Sequence, residues 1–432
     1  TMDQIQSSDQ TRRTFLETSS VALAGGALST TMLTPGAVHA SGSPVLRVGL
    51  VGCGGRGTGA AAQALTADPQ VELVAMGDTF ADRVDQSYGQ LKKTAIADRV
   101  KVDRDYRFSG FNAYQAVIDQ CDVVLLATPP HFRPEHLKAC VDSGKHVFVE
   151  KPVAVDGSGV RSVMETCKKA SEKGLNIVSG LCWRYHYGMR ETFQQILDGA
   201  VGEIMTLQCT YNTSELWYHD RQPEWSDMEW QVRNWLYFTW LSGDHIVEQH
   251  IHSLDKMVWA MGGTPPEKCV SLGGRQVRTS ERYGQIFDHF NTVYEYESGV
   301  KCFSSTRQQD GCAMDVSDHV LGTQGTCDVF RHSVKDHTGK TTWRYRGPNC
   351  NMYQVEHDEL FAAIRAGQVI NNGDYMCKST LMAIMARMAA YSGQEVTWDQ
   401  ALNSPENLAP EKYEWGSMKV APIAIPGLTQ LA

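Results

Sequence analysis

No stretch of this 432-residue sequence holds the roughly 18 consecutive apolar residues that a membrane-spanning helix needs. The apolar region near its start, V-A-L-A-G-G-A-L, is short and broken by glycines, so no membrane anchor is expected. Excess positive charge is missing as well. With 40 Lys and Arg against 49 Asp and Glu the formal net charge is −9, which argues against a nucleic-acid-binding surface and towards a small-molecule partner. The 12 cysteines include no C-x-x-C pair and follow no regular spacing, so neither a disulfide framework nor a zinc site is expected. Repeats and low-complexity tracts are absent.

At residues 11–16, T-R-R-T-F-L precedes the broken apolar region, and Val38-His39-Ala40 supplies a small-residue end. Residues 1–40 therefore read as a twin-arginine export signal cleaved after Ala40, with a periplasmic or otherwise exported destination. That route carries proteins already folded in the cytoplasm, which reconciles reduced, buried cysteines with an extracytoplasmic address. The remaining residues, 42% of the whole being hydrophobic and 21% charged, have an ordinary globular composition. A nucleotide-binding domain is expected over 43–182 and a second α/β domain over 183–432.

The richest segment runs from Val45 to Asp78. Val45, Leu46, Val48, Leu50 and Val51 form an apolar run of the kind buried on both faces of a parallel sheet. It breaks into Gly52-x-Gly54-x-x-Gly57, with Gly55 and Arg56 inside the turn. An Ala-rich helical segment, Thr58 to Ala67, follows, and then a second apolar run, Val71 to Met76, that ends in Asp78. Strand, glycine turn, helix, strand and acid make up the dinucleotide fingerprint in full context. Gly52 permits the tight turn, Gly54 lets backbone approach a pyrophosphate, and Gly57 lets helix pack on strand. The helix N-terminus faces the phosphates. Asp78 would accept hydrogen bonds from the adenosine ribose and repel a 2′-phosphate, favouring NAD over NADP. Arg56 weakens that preference, because it is able to meet a phosphate, so NADP stays open.

Strand and helix keep alternating. Helices are expected at Phe111 to Gln120 and Pro134 to Ser143, and strands at Cys121 to Thr128, His146 to Glu150 and Leu175 to Trp183. This is a doubly wound parallel sheet, whose ligands sit beyond the carboxyl ends of its strands. Two such ends carry Thr128-Pro129-Pro130-His131 and Glu150-Lys151-Pro152. A lysine there, fixed by the following proline, points into the crevice where a nicotinamide would lie. Beside a cationic ring and partly desolvated, its ammonium would release a proton readily, which suits exchange with a substrate hydroxyl.

Asp244 to Asp255 reads as one helix with Glu248, His252 and Asp255 on a shared face and Asp244 one turn earlier. A carboxylate one turn from an imidazole can orient it as a general base. His245, Glu248 and His252 also have helical spacing suited to a metal, but a nicotinamide fold already supplies the electron acceptor, so none is expected. Trp217, Trp225, Trp230, Trp235 and Trp240 crowd into 211–240, either to stack on pyranose rings or to build a core or subunit interface. Past residue 265, alternating runs joined by Gly-containing turns predict an antiparallel sheet. Helices at Met352 to Ala366 and Tyr375 to Tyr391 and a Pro-containing surface tail follow.

Together the glycine loop, A-T-P at Ala127 to Pro129, G-K-H-V-F-V-E-K-P at Gly144 to Pro152, G-D-H-I-V-E-Q-H-I-H-S-L-D at Gly243 to Asp255 and E-H-D-E-L-F-A-A-I-R-A-G at Glu356 to Gly367 resemble the Gfo/Idh/MocA oxidoreductases. The resemblance implies an N-terminal Rossmann domain and a C-terminal α/β domain with a large, mostly antiparallel open sheet. The outer face of that sheet often makes subunit contacts, so a homo-oligomer is expected. It also implies a proton-exchanging role for Lys151 and places Glu248 and His252 at the family's catalytic acid and histidine. Three departures mark a distinct subgroup: Glu248 where Asp is usual, His250 where Gly is common, and Arg133 where a His often follows the turn.

The expected cofactor contacts are Gly52, Gly54, Gly55, Arg56, Gly57, Asp78, Thr128, Pro129, His131, Glu150, Lys151 and Arg184. Those to substrate are Lys151, Tyr185, Trp235, Glu248 and His252, although Arg184 and Tyr185 equally suit interdomain packing. The expected activity is hydride transfer between NAD and a ring carbon of a sugar, cyclitol or glycoside, with Lys151, His252 and Glu248 catalytic. Redox-neutral cleavage of a glycoside through a transient keto-sugar is the alternative, and a non-catalytic sugar-binding protein a second.

Overall fold

The structure is a computed structural model that describes residues 44–431; the expected export signal lies outside the described residues. Six strands form the first sheet: β1 (Leu46–Val51), β2 (Val71–Asp78), β3 (Arg107–Ser109), β4 (Val123–Leu126), β5 (His146–Val149) and β6 (Ile177–Ser179). All are parallel, in the order β3-β2-β1-β4-β5-β6. Every residue of β4 and β5 is buried because helices cover both faces, which explains the apolar runs Val123–Leu126 and, after His146, Val147–Val149. The chain winds outward from β1 to β3 and returns to β4 on the other side of β1. The order therefore reverses between β1 and β4, where a crevice opens at the strands' carboxyl ends.

The strand expected from Leu175 to Trp183 is shorter. It leaves the sheet at Gly180, where a Cβ would lie 2.7 Å from the Glu150 carboxylate, and Cys182–Tyr185 form a 3-10 turn.

The second sheet contains β7 (Ile204–Thr213), β8 (Lys268–Gly274), β9 (His289–Glu295), β10 (Lys301–Gln308), β11 (Asp315–Gly322), β12 (Gly325–Asp328), β13 (Ser333–Asp336), β14 (Thr341–Arg344) and β15 (Val396–Thr397). Its order is β14-β13-β12-β11-β7-β10-β9-β8-β15, and only β7 and β10 pair in parallel. Alternation sorts its faces: β10 buries Cys302, Ser304, Thr306 and Gln308 and turns Lys301 and Phe303 outward. The inner face packs on helices, among them Gly373–Ser392, which is buried nearly all round and correspondingly lacks a polar face. One core cluster runs from Val124 and Val149 of the first sheet through Met382 to Tyr294 of the second. Residues 44–431 accordingly belong to one compact unit.

All 12 cysteines are free thiols, ten of them buried. Among the described residues no helix is long and apolar enough to cross a membrane. The C-terminal segment is more than a surface tail: residues 404–418 cross the carboxyl edge of the first sheet, with the Tyr413 hydroxyl 2.7 Å from His131 Nε2 and Trp415 stacked on Phe80.

Candidate active site

At the end of β1 the chain turns through Gly52, whose φ of +94° suits glycine, into the helix Gly55–Ala67. Gly57 is required by contact, since a Cβ there would lie 1.9 Å from the Gly52 carbonyl oxygen. At Gly54 and Gly55 the added Cβ would meet no heavy atom within 4 Å, so backbone faces open space at the helix N-terminus. That opening fits a pyrophosphate. Asp78, at the end of β2, accepts the Cys53 N–H (2.7 Å) and the Phe80 N–H (3.0 Å), which holds its carboxylate beside the turn with lone pairs left for ribose hydroxyls. Burial pushes its carboxyl above the usual range, and the two N–H donors oppose the shift.

Arg56 is turned away from the phosphate position. Its guanidinium meets Glu150 Oε1 and Glu356 Oε1, each at 2.5 Å, which disagrees with a free phosphate-binding arginine. The physical reason is charge: Glu356, on the helix Met352–Ala366, is fully buried and needs a cation. Nothing in the local sequence marks Glu356, because its partner lies 300 positions away.

Thr128 and Pro129 close β4 at the crevice, and the Thr128 hydroxyl lies 3.4 Å from His136 Nδ1. His131 stands edge-on to Trp240 at 5.0 Å, and burial lowers its pKa to about 4. Arg133, a residue without an assigned role from sequence, is buried with its guanidinium on the Pro152 carbonyl and braces the turn that carries Lys151.

Lys151 leaves the end of β5 through a cis Lys151–Pro152 peptide and reaches the second half of the chain. Its Nζ donates to Glu248 twice, to Oε1 at 2.9 Å and to the main-chain oxygen at 2.7 Å. The second bond explains why the segment is not the single helix expected. With the Glu248 carbonyl turned to the ammonium, the His252 N–H points instead to the Gln249 oxygen at 3.4 Å, and the helix divides into His245–Glu248 and Ile251–Ala260. His250 turns inward, its Nε2 2.6 Å from Ser304 Oγ.

His252 is half-buried, and its pKa lies well below 6.5. Burial is the main cause, and the Lys151 and Lys256 ammonium groups add to it. The imidazole is therefore neutral near pH 7 and able to accept a proton. No carboxylate orients it, since Nδ1 is buried without a partner among the described residues. Asp255 lies elsewhere, accepting Arg184 at 2.8 and 2.9 Å and Ser379 Oγ at 2.7 Å. Asp244 caps its helix and accepts the Phe287 N–H and the Tyr391 hydroxyl. His245 is fully buried against Phe290, away from Glu248, and among the described residues no three potential ligands gather as a metal site.

Two further candidates, Arg184 and Tyr185, have their polar tips engaged inside the protein. Arg184 is held by Asp255 between the rings of Trp259 and Tyr375, 4.4 and 4.3 Å away, and Tyr185 is buried with its hydroxyl on Asn372 at 2.8 Å. Each polar tip thus has a buried partner, the arrangement that the packing role requires. Of the tryptophans, Trp230 and Trp240 are buried in an aromatic cluster with Phe80 and Phe132, and Trp235 is half-buried 5.9 Å from Trp217.

Residues 46–177, which span the parallel sheet, match the family model described as GFO_IDH_MocA, oxidoreductase family, NAD-binding Rossmann fold. The first sheet is thus similar to the NAD-binding Rossmann domain of the Gfo/Idh/MocA oxidoreductases. Relatives point the same way: an uncharacterized oxidoreductase of Streptococcus pneumoniae serotype 4 is 28% identical over 49% of this chain and 52% of its own. The 2,7-anhydro-N-acetylneuraminate hydratase of Escherichia coli K12 is 25% identical over 50% and 53%. The chain spans about half the length of these curated relatives. Across both sheets the fold is similar to the aldose-aldose oxidoreductase of Caulobacter crescentus, with a TM-score of 0.62 and 18% identity, covering 82% of this chain and 99% of that one. The likeness to that structure shows the two-sheet fold.

Proposed function

We propose that the chain is an NAD-dependent oxidoreductase acting on a CH–OH group of a sugar, cyclitol or glycoside. The observation that carries this reading is the pair of hydrogen bonds from Lys151 Nζ to Glu248, which brings the lysine of the NAD-binding sheet to the segment bearing His252. NAD, when bound, supplies the hydride acceptor. Gly52 to Gly57 receive its pyrophosphate and Asp78 its adenosine ribose, and the Asp78 charge disfavours NADP. The neutral His252 imidazole takes the substrate hydroxyl proton as the ring carbon gives up hydride, and Lys151 donates a hydrogen bond to the same oxygen. Glu248 holds the ammonium in that position.

Export by the twin-arginine motif would leave the protein without a pool of exchangeable NAD. The nucleotide is accordingly bound during cytoplasmic folding and regenerated within the catalytic cycle. Denaturing freshly purified protein and analysing the released nucleotide tests this: near-stoichiometric NAD is expected, and an empty pocket overturns it. A second reading, redox-neutral hydration or cleavage through a transient keto-sugar, is favoured by the similarity to a hydratase. Products separate the two, since oxidised sugar appears in the first and a hydrated or shortened sugar without net oxidation in the second. The outer face of the second sheet aligns Val270, Val293 and Phe303 across β8, β9 and β10, with Leu272 77% exposed, an apolar surface that supports a homo-oligomer.

A further inference from the structure

Phe80, Phe111 and His131 follow β2, β3 and β4, so all three stand at the carboxyl edge of the NAD-binding sheet. The chain from Ser404 to Met418 runs across that edge and is fastened along its length. Glu406 pairs with the fully buried Arg387, and the Leu408 N–H bonds Asp156 at 3.3 Å. Tyr413 bonds His131, the Met228 N–H bonds the Gly416 oxygen at 3.2 Å, and the Met418 N–H bonds Asp227 at 3.1 Å. Between these ties Trp415 lies against Phe80, with centroids 5.5 Å apart and planes 26° apart, and against Phe111 at 4.8 Å. The Phe80 N–H bonds the Asp78 carboxylate, the group placed for the adenosine ribose. Arg233 covers the Phe80 ring at 3.9 Å and pairs with Asp82, tying the second half of the chain to the same corner.

We propose that residues 404–418 are a strap over the adenosine end of the NAD cleft, with Trp415 the residue that stacks on adenine and retains the nucleotide. A ring that serves only the core would be covered, yet this indole, backed by two phenylalanines beside Asp78, remains 48% exposed. Sequestering the adenine slows release without touching the nicotinamide end, where Lys151 and His252 work. The strap rests on the NAD-binding reading and not on the choice of substrate.

The test is the dissociation of NADH from the full chain, followed by nucleotide fluorescence after dilution, with ADP-ribose and nicotinamide mononucleotide as separate probes. Trp415→Ala is expected to release NADH about 5- to 150-fold faster, the range for losing one base-aromatic stack, and to weaken ADP-ribose by the same factor. Nicotinamide mononucleotide binding should stay unchanged, and Trp415→Phe should remain within about threefold of the parent. An equal loss for all three probes indicates general damage to the cleft and overturns the assignment. Unchanged NADH release from Trp415→Ala also overturns it, and slower release would mean that the indole competes for the adenine position. A parent chain that binds no NADH refutes the NAD reading itself, and the strap with it.

Discussion

Replacing Asp255 by alanine separates a structural clasp from a cofactor contact. In the native chain the Arg184 guanidinium is held by two Asp255 oxygens, and the two side chains are 13% and 1% exposed. Ser379 gives the same carboxylate a third bond. Truncating Asp255 leaves a cation stranded between Trp259 and Tyr375 and removes the acceptor of the Ser379 hydroxyl. Breaking such a buried pair from one side costs about 3–5 kcal/mol. Removing both charges, as in Arg184→Met with Asp255→Leu, costs far less, about 0–2 kcal/mol, because no ion is left uncompensated. Urea unfolding followed by tryptophan fluorescence measures both variants, and NADH titration of the folded proteins reports on the cleft. NADH affinity should stay within about threefold in each, if the two side chains serve each other and not the nucleotide. The reasoning fails if Asp255→Ala loses less than about 1 kcal/mol. It also fails if Arg184→Met abolishes NADH binding at unchanged stability, which would restore Arg184 as a cofactor contact.

Asp78→Ala should raise NADP affinity relative to NAD by tenfold or more, measured by competition; an unchanged ratio would remove Asp78 from the ribose. His136 is kept neutral by burial, with its pKa lowered from 6.5 to about 3. The unfolded chain therefore binds the extra proton between those values, and the histidine's contribution is complete above pH 6.5 and is lost as pH falls. In His136→Asn the slope of stability against pH should flatten by about 0.7 kcal/mol per unit at pH 6.5, rising to about 1.3 at pH 5. Parallel curves for parent and variant would contradict this.

Local chemistry made much of the fold legible. The glycine turn is specified by its own neighbours, since Gly57 meets Gly52 five residues away, and the buried parallel strands announce themselves as apolar runs. The position of Lys151 followed from the same logic, a strand end in a doubly wound sheet. What stayed hidden depends on distant partners. The helix break after Glu248 is made by a lysine 97 residues earlier, and Arg56 turns to a glutamate 300 residues later. Arg184 and Tyr185 look as suited to a cleft as to a joint until Asp255 and Asn372 are seen to claim them. The aromatic cluster is similar: tryptophan composition allows a sugar platform or a core, and the burial of Trp230 and Trp240 identifies a core.

The central claim is that Lys151 and His252 serve one bound nicotinamide. Its most direct test is a panel of sugars, cyclitols and glycosides presented to NAD-loaded protein, with absorbance of the reduced nicotinamide followed in the parent, Lys151→Met and His252→Ala. The account predicts that a substrate reducing the nucleotide in the parent does so about 100-fold or more slowly in each variant, while both keep their NAD. Undiminished reduction in both variants would contradict it.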